Sequence, residues 1–594
     1  MRTGSRVLVV ACVLLAAVTG TAQASGGPDV QPLHRAGRWM VDADGRVVVG
    51  HGFNIVKKLA PFVRSEFSEA DARLLADEGF TVARIGFIWE GVEPQPGKYD
   101  DAYIAKVMAL NALLAKYGIR TVVDFHQDAW SQYASVLRGD GAPKWATPYP
   151  NALDDFQAFW DDEAGPDGVG LQTHFIKAWQ HVVTEFRRDP SVANVLAWDP
   201  LNEPYAGTKT GCAPFTPCPH FETGALADFY RRIIPAIRAA GGVQVIHTEG
   251  IATSGVAEPF LPAFDDSQVA FHYHFYCNAT QVSSNKTSVG DGSPESRACQ
   301  PIEAHNLGNY HGYLGRIGAP GFLGEFSCND VNDDNAQVVD ITDAAFDSWT
   351  SWAYYTAAED PADCPGQGLL ADDKKPGVAK PAKLDAFAVP HAQAIAGTPK
   401  STSLDRAAKT YKLTYAATAA PGTTLRSDVT QIFVPQRMFP KGYAAAVNGG
   451  EVVSAEGAPW LLVRASAGEV SVTVISRNDS RTQRPLETGA LPVRGEGGSD
   501  APSSSASSAA SASPSPSPLR ARRCSGHRSL VFRLPKSARK VSVTVGGHRV
   551  KARRKGRRLT ARLVRRPGKV RVRVRARTRA GHNYTRARVV RLCP

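Results

Sequence analysis

Between residues 47 and 356 the sequence alternates eight apolar, strand-like segments with amphipathic helical segments. This alternation is typical of parallel β/α units, and eight of them in one stretch predict a closed (β/α)₈ TIM barrel. The predicted strands cover residues 47–56, 81–87, 120–126, 195–202, 243–249, 269–276, 321–326 and 349–356. The clearest helical segments between them cover residues 69–78, 102–117, 173–187 and 226–239. Such a barrel brings the carboxyl ends of all its strands to one face.

Two of the predicted strands end in a glutamate. Glu203 lies in Asp-Pro-Leu-Asn-Glu-Pro after the fourth strand, and Glu325 lies in Phe-Leu-Gly-Glu-Phe-Ser at the end of the seventh. Retaining hydrolysis of a glycosidic bond requires two carboxyl groups across the sugar, one as acid/base and one as nucleophile. The pair therefore predicts a retaining glycosidase. The alternative for Glu203, a helix-capping or surface carboxylate, fits its place at a strand end less well.

Further polar and aromatic residues lie at the predicted strand ends: Arg84, His126, Asn202, His274, Tyr276 and Trp352. Arg84 is expected to keep Glu325 ionised, because apolar surroundings alone would raise the pKa of that carboxyl. Tyr276 could hold the nucleophile by its hydroxyl group. Trp352, with Trp349 as the alternative, could form the floor under the bound sugar. Each residue alone is more often a packed or salt-bridged residue, so the prediction depends on the set.

This set resembles the constellation of glycoside hydrolase family 5, and four segments are similar to the endoglycoceramidases of that family. They are Gly52-Phe-Asn-Ile-Val-Lys-Lys58, Arg84-Ile-Gly-Phe-Ile-Trp-Glu-Gly-Val-Glu-Pro94, Val123-Asp-Phe-His-Gln-Asp128 and Trp198-Asp-Pro-Leu-Asn-Glu-Pro204. The resemblance covers residues 30–485 and implies that Glu203 is the acid/base and Glu325 the nucleophile. It implies a glycosphingolipid substrate, cleaved between glucose and ceramide, and no metal or organic cofactor. It also implies that Lys58, Asp128 and Trp179 contact the sugar.

Two alternatives remain open on the sequence. The first is another family 5 β-glycosidase that acts on β-glucans, galactosyl ceramides or lipid glucosides. The second is a non-catalytic, glycan-binding envelope protein built on an inactive barrel.

Composition predicts five segments. Residues 1–24 are typical of a signal peptide, because Arg2 and Arg6 precede the apolar run 7–18, and the small-residue cleavage pattern Ala22-Gln-Ala24 follows it. The catalytic barrel follows at 30–388, a β-sandwich domain at 389–485, a Gly/Ser/Ala/Pro-rich linker at 486–519, and a small basic all-β domain at 520–594. The protein is thus expected to be secreted, with retention at the cell envelope through its basic end, and to be a monomer.

The basic end of the chain carries most of the charge. From Arg520 onward there are 27 Lys and Arg and no Asp or Glu, so the net charge of +13 leaves −14 for the rest. Valines alternate with arginines over residues 570–577, which predicts a strand with one inward face. This domain is expected to bind anionic envelope polymers or lipid surfaces, and nucleic acid binding is not expected as a function. The alternative is that its arginines only keep the domain soluble.

Of nine cysteines, Cys12 lies in the predicted signal peptide. The remaining eight suggest the disulfides 212–218, 277–299, 328–364 and 524–593, as an exported chain allows. A metal site is less consistent with their spacing.

An aromatic-rich insertion at 127–172 follows the third strand. Its tryptophans Trp130 and Trp145 could form an apolar surface for the ceramide chains, in which case their loss should impair glycolipid hydrolysis more than aryl glycoside hydrolysis. Alternatively, they pack on the barrel.

Overall fold

The computed structural model describes residues 32–477, apart from 137, 214–215, 253–257, 281–289 and 357–366, and the β-strands between residues 529 and 592. The chain divides into two compact units, Met1–Leu491 and Pro492–Pro594. The predicted signal peptide, the predicted linker and the cysteines at 364, 524 and 593 lie outside the described residues. Among the residues described, no helix combines the length and apolar character needed to cross a membrane.

The centre of the first unit is a closed barrel of eight parallel strands, and the predicted (β/α)₈ fold is confirmed. The strands are β1 (His51–Ile55), β2 (Val82–Ile88), β3 (Arg120–His126), β4 (Val195–Asp199), β5 (Val245–Glu249), β6 (Val269–His274), β7 (Gly321–Glu325) and β8 (Ser348–Ser351). Each strand pairs with the next, and β8 pairs with β1 to close the barrel.

The helices around the barrel have amphipathic faces that pack on the strands. Their bounds are Glu69–Asp77, Trp89–Val92, Asp101–Lys116, Ala152–Trp160, Leu171–Phe186, Pro219–Phe221, Ala227–Ala239, Pro294–Ile317, Asn332–Ala345 and Pro381–Phe387. Local signals fix several helix starts: the Asp100 side chain accepts from the backbone N–H of Tyr103, and the Asn151 side chain accepts from Leu153.

Three predicted strands extend two or more residues past their observed carboxyl ends. The strands β4, β6 and β8 end before Asn202, Tyr276 and Trp352, which lie in the loops that follow. In β4 the cause is local, because Pro200 has no backbone N–H to continue the ladder. The site residues are thus placed on loops at the carboxyl face rather than within the strands.

The barrel interior changes from apolar to polar along the strands. One layer consists of Val82, Val122, Ala197, Val245, Ala270 and Phe322. Two residues further along each of these strands, the interior positions are Arg84, Asp124, Asp199, His247, His272 and Gly324. Side chains two residues apart on a strand share a face, so the polar layer lies directly above the apolar one. This polar layer supports the candidate site at the carboxyl face.

A β-sandwich follows the barrel, and the start of the chain contributes to it. Its seven-stranded sheet contains His34–Ala36, Trp39–Val41, Val47–Val48, His391–Ile395, Val429–Phe433, Trp460–Ala465 and Gly450–Val452. Its four-stranded sheet contains Thr398–Asp405, Thr410–Ala416, Glu469–Ser476 and Tyr443–Asn448. Residues 34–48 were predicted to belong to the barrel, and this was wrong: Val47 and Val48 pair with Ile395 and Ala394. Hydrophobic residues of both sheets form one core.

The second unit is all-β in its described part. It contains a three-stranded sheet of Ser529–Arg533, Arg558–Arg562 and Ala552–Lys555. A four-stranded sheet is formed by His548–Val550, Ala538–Val545, Gly568–Thr578 and Asn583–Leu592. Within the long strand, Val574 and Ala576 are buried and Arg575 is exposed, which is the predicted alternation.

Two of the predicted disulfides are confirmed, Cys212–Cys218 and Cys277–Cys299. Cys328 is also disulfide-bonded, while its predicted partner at 364 lies outside the described residues.

The aromatic insertion packs on the barrel. Trp130 is only 2% exposed, its ring lies 5.0 Å from that of Phe156, and its indole N–H donates to the carbonyl of Ala146. Trp145 is half-buried and its indole N–H donates to the Glu93 carbonyl. The hypothesis that Trp130 contacts the lipid chains was therefore wrong, because its ring is part of the hydrophobic core.

Replacing Trp130 with alanine is expected to lower the free energy of unfolding by about 3–5 kcal/mol, since it leaves a large cavity. Activity on glycolipid and on a soluble aryl glycoside should fall by the same factor. Denaturant titration and kcat/KM on both substrates measure these effects. Tyr133→Ala, at a 40% exposed position of the same insertion, is the control and should change stability little. A loss confined to glycolipid hydrolysis in Trp130→Ala would contradict the core assignment.

Candidate active site

Arg84 is the fully buried centre of the site. Its guanidinium contacts three carboxylates and two amide oxygens: Asp124 at 3.0 Å, Asp199 at 2.9 Å, Glu325 at 2.7 Å, Asn54 at 3.2 Å and Asn202 at 2.7 Å. Burial opposes its charge, but the surrounding carboxylates raise the pKa of Arg84 above its usual range. Arg84 thus connects the ends of β1, β2, β3, β4 and β7 through one buried cation.

Glu325, the last residue of β7, receives two donors. Arg84 Nη1 donates to Oε1 at 2.7 Å, and the Tyr276 hydroxyl donates to Oε2 at 2.8 Å. Burial raises the pKa of Glu325, and the charge of Arg84 counteracts this effect. Hydrogen bonds to both oxygens favour the ionised form, as a nucleophile requires.

Glu203 lies four residues beyond β4 in a strained backbone conformation. Its φ of +40° is in the left-handed region, which a non-glycine residue adopts only when its surroundings fix it. Gln127 Nε2 donates to its carbonyl at 2.9 Å, and its own N–H donates to Glu249 Oε2 at 3.0 Å. Burial and the negative charge of Asp128 raise the pKa of Glu203 to about 7. Glu203 can therefore both hold and release a proton near neutral pH.

The two glutamates meet at one imidazole nitrogen. His274 Nδ1 lies 2.9 Å from Glu203 Oε1 and 3.5 Å from Glu325 Oε2. The two carboxyl groups consequently face one cleft. This proximity fits the roughly 5–5.5 Å spacing of retaining pairs better than the roughly 6.5–9.5 Å of inverting pairs.

A second group of predicted residues surrounds Trp352. The His126 ring is nearly parallel to the indole, with 5.2 Å between the ring centroids. Lys58 Nζ lies 4.8 Å from the centroid of the Trp352 ring and forms an ion pair with Asp128. Burial opposes the ionisation of Asp128, but the charge of Lys58 and the hydrogen bond with His126 lower the pKa of Asp128 below its usual range. The group combines an aromatic surface with charged hydrogen-bonding groups, the pattern that a sugar ring requires.

The competing position, Trp349, is excluded as the sugar platform. It is fully buried, stacks on His51 with 4.3 Å between ring centroids, and donates its indole N–H to Asp343. Trp352, by contrast, stacks on the site residue His126, and its indole N–H donates to Gln367.

The prediction that Trp179 contacts the sugar was wrong. Trp179 is fully buried on the helix Leu171–Phe186, its ring lies 4.5 Å from that of Phe125, and its indole N–H donates to the Pro200 carbonyl. It belongs to the apolar stripe that packs this helix on the outside of the barrel. The other ten predicted site residues lie around Arg84, Trp352 and the two glutamates.

Several site residues were not predicted from the sequence: Asn54, Asp124, Gln127, Asp199, Glu249 and His272. Three of them stand two residues before or after another polar interior position, as in Asp124-Phe-His126, His247-Thr-Glu249 and His272-Tyr-His274. A polar residue two positions from another polar residue in an otherwise apolar strand lies on the same face of that strand, and this pattern could have predicted these three site residues.

Within the described part of the chain, the groups with metal-ligand chemistry include two fully buried ones: Asp199 with His247 and His272, and Glu249 with His272 and His274. In the first, Arg84 already neutralises Asp199. In the second, the two histidines contact each other through their Nε2 atoms at 3.0 Å. Both sets are thus engaged in contacts within the protein.

Two known protein family models match this chain and identify its enzyme family. The model of the cellulases (glycosyl hydrolase family 5) matches residues 41–358, and that of the glycoside hydrolase family 5 C-terminal domain matches residues 390–474. The chain belongs to glycoside hydrolase family 5. It is therefore a glycoside hydrolase, and its second matched segment coincides with most of the β-sandwich.

Within family 5 the chain is similar to endoglycoceramidases. Endoglycoceramidase I of Rhodococcus hoagii (strain 103S) is 27% identical over 472 residues, which cover 75% of this chain and 88% of that protein. The endoglycoceramidase of Cyanea nozakii is 27% identical over 282 residues, covering 40% of this chain and 55% of that protein. The solved structure of endo-glycoceramidase II from Rhodococcus sp. in complex with ganglioside GM3 has a TM-score of 0.60 at 26% identity, covering 74% of this chain and 100% of that chain.

Proposed function

We propose that this family 5 hydrolase cleaves the β-glycosidic bond between the oligosaccharide and the ceramide of glycosphingolipids, with retention of configuration. The observation that carries the proposal is the contact of Glu203 and Glu325 with the same nitrogen of His274, where Glu325 accepts hydrogen bonds from Arg84 and Tyr276 and the pKa of Glu203 is raised to about 7 by burial and the charge of Asp128. The similarity to endoglycoceramidases along the barrel and the sandwich supports the choice of lipid substrate.

In the first step, ionised Glu325 attacks the anomeric carbon while protonated Glu203 donates its proton to the departing ceramide oxygen. The carbon–oxygen bond to ceramide breaks, and an ester forms between the sugar and Glu325. Arg84 and Tyr276 hold the attacking carboxylate in place through its two oxygens.

In the second step, Glu203 takes a proton from water as the water attacks the same carbon, and Glu325 leaves. Esterification removes the negative charge of Glu325, so the pKa of Glu203 falls once the intermediate has formed. The same carboxyl group can therefore act first as acid and then as base. Two inversions restore the original configuration.

Secretion and surface attachment belong to the same proposal. The signal-peptide pattern at 1–24 supports export, and the 27 basic residues from Arg520 onward support attachment to anionic envelope polymers or lipid surfaces. Both remain predictions, as does the monomeric state.

The proposal is tested with a substrate panel in detergent: lactosylceramide, galactosylceramide, glucosylceramide and a cello-oligosaccharide. We expect intact lactose from lactosylceramide, released first as the β-anomer in an NMR time course. Glu325→Gln should release nothing. Glu303→Gln is the matched control, because burial raises the pKa of Glu303, on an outer helix, to about 10, so the neutral amide replaces a carboxyl group that is already neutral.

The other products identify the alternatives. Stepwise release of galactose and then glucose would contradict cleavage at the ceramide bond. Faster hydrolysis of the cello-oligosaccharide than of lactosylceramide would favour a β-glucanase. Initial release of the α-anomer would exclude the double displacement.

A further inference from the structure

A line of three polar contacts runs from the polar layer of the barrel interior to the proposed acid. Asp199 Oδ2 lies 2.9 Å from His272 Nδ1, His272 Nε2 lies 3.0 Å from His274 Nε2, and His274 Nδ1 lies 2.9 Å from Glu203 Oε1. His272 is fully buried beneath His274 on β6. It supports the site without facing the sugar.

The hydrogens on the two histidine rings can be assigned one contact at a time, starting from Asp199. Burial opposes the ionisation of Asp199, but the close contact with His272 and the charge of Arg84 lower its pKa below the usual range, so it is an anion. The His272 nitrogen next to an anion must carry a hydrogen, because two lone pairs at 2.9 Å would repel. Burial lowers the pKa of His272 to about 3, so this ring is neutral and its Nε2 has only a lone pair.

The same reasoning continues to Glu203. Since His272 Nε2 can only accept, His274 must donate from its own Nε2. Burial lowers the pKa of His274 to about 4, so this ring is neutral and its Nδ1 has only a lone pair. The hydrogen in the contact between His274 and Glu203 must then come from Glu203, in its acid form.

We infer that His272 is a positioning residue: it fixes the tautomer of His274 so that Nδ1 accepts from the acid form of Glu203 and retains the proton there until catalysis. The inference rests on the proposed function, in which Glu203 is the acid. In this arrangement Asp199 has two roles, since it also binds Arg84, which holds the nucleophile.

Other ionisable groups also face this pair. Glu249 Oε1 lies 3.5 Å from His274 Nδ1, farther than Glu203, and burial with the charge of Glu203 raises the pKa of Glu249 well above its usual range. His247 lies beside His272. The remaining groups that face Glu203 or His274 are Arg84, His126, Asp128, Lys58, Tyr276 and Glu325. These groups determine the pKa of Glu203 in the wild-type protein. The tautomer of His274 determines whether a substitution at His272 raises or lowers that pKa.

Gly324 on β7 makes room for the His272 ring. A Cβ atom at this position would lie 1.5 Å from His272 Nε2, so a side chain would displace the ring. Gly324, which directly precedes the nucleophile Glu325, therefore leaves space for His272. His272 in turn orients His274, the partner of the acid Glu203.

The test compares His272→Asn with His272→Gln on lactosylceramide across pH 5–9. Asparagine can donate toward Asp199 but does not reach His274, so His274 is free to carry its hydrogen on Nδ1 and to donate to ionised Glu203. We expect the alkaline limb of kcat/KM to move about one pH unit lower, as for the loss of one hydrogen bond to the acid form. In His272→Gln the amide oxygen remains an acceptor within reach of His274, so the alkaline limb of kcat/KM should stay at the wild-type pH.

His247→Asn is the matched control. It removes a buried, neutral histidine whose ring centroid lies 5.5 Å from that of His272, outside the line of contacts, and should leave the limb in place. An unshifted limb in folded His272→Asn would overturn the inference, as would an equal shift in His247→Asn.

A second measurement keeps the inference testable if His272→Asn does not fold. The ¹⁵N shifts of histidine-labelled wild-type protein should show His274 protonated on Nε2 and His272 on Nδ1. A hydrogen on His274 Nδ1 at pH 6 would overturn the inference.

A separate experiment tests whether Glu203 is the acid/base of the proposed function, independently of the role of His272. Glu203→Ala, assayed on an aryl lactoside with a good leaving group, should recover activity with azide and form a β-lactosyl azide. Absence of this rescue would remove Glu203 as the acid/base, whatever the histidine variants show.

Discussion

Replacing Glu325 with glutamine is expected to lower kcat on lactosylceramide by at least about 10³-fold, because the amide cannot form the covalent ester. The isosteric amide can still accept from Arg84 through its oxygen, and its NH2 group can donate to the Tyr276 hydroxyl oxygen, so the fold and substrate binding should change little. Single-turnover kinetics and a binding titration separate the two effects.

The assignment has a direct chemical readout. Wild-type enzyme incubated with an activated 2-deoxy-2-fluoro lactoside should gain the mass of one fluorolactosyl group on the peptide that contains Glu325. Labelling of Glu203 or Glu249 instead would contradict the assignment. Glu303→Gln should label as the wild type does.

The sequence predicted the barrel and its catalytic face because β/α alternation is a local pattern. Each segment carries its own periodicity, and the topology then fixes where Glu203 and Glu325 lie. The contribution of residues 34–48 to the sandwich has no such local signature. Their partner strand His391–Ile395 is more than 300 residues away, so only the folded structure reveals the pairing.

Trp179 shows a second limit of the sequence. A tryptophan on an amphipathic helix looks the same in sequence whether it contacts a ligand or packs behind a strand. Its exclusion required the observed contacts with Phe125 and Pro200. His272 shows the converse, because its position two residues before His274 in a strand already placed both rings on one face.

Replacing Arg84 with methionine is expected to lower the free energy of unfolding by about 3–5 kcal/mol at pH 7, the cost of leaving buried charges without their partner. Asp124, Asp199 and Glu325 would lose their shared cation, and the pKa of each carboxyl would rise. Protonation of Glu325 would also remove the nucleophile, so kcat should fall by about 10²-fold or more.

The pH dependence of this destabilisation distinguishes lost charge compensation from lost packing. Carboxyls with a raised folded-state pKa do not destabilise the fold below the unfolded value near 4, where they are protonated in both states, and they destabilise it progressively as pH rises from that value to the raised folded pKa. The difference between wild type and Arg84→Met should therefore be largest at pH 7 and shrink at pH 4, as measured by denaturant titration at both pH values. Arg437→Met, which removes a partly exposed arginine paired with Glu78 and Asp385, should cost at most about 1 kcal/mol. A loss in Arg84→Met that is the same at both pH values would mean that the guanidinium acts by filling space rather than by holding the carboxylates of the barrel interior ionised.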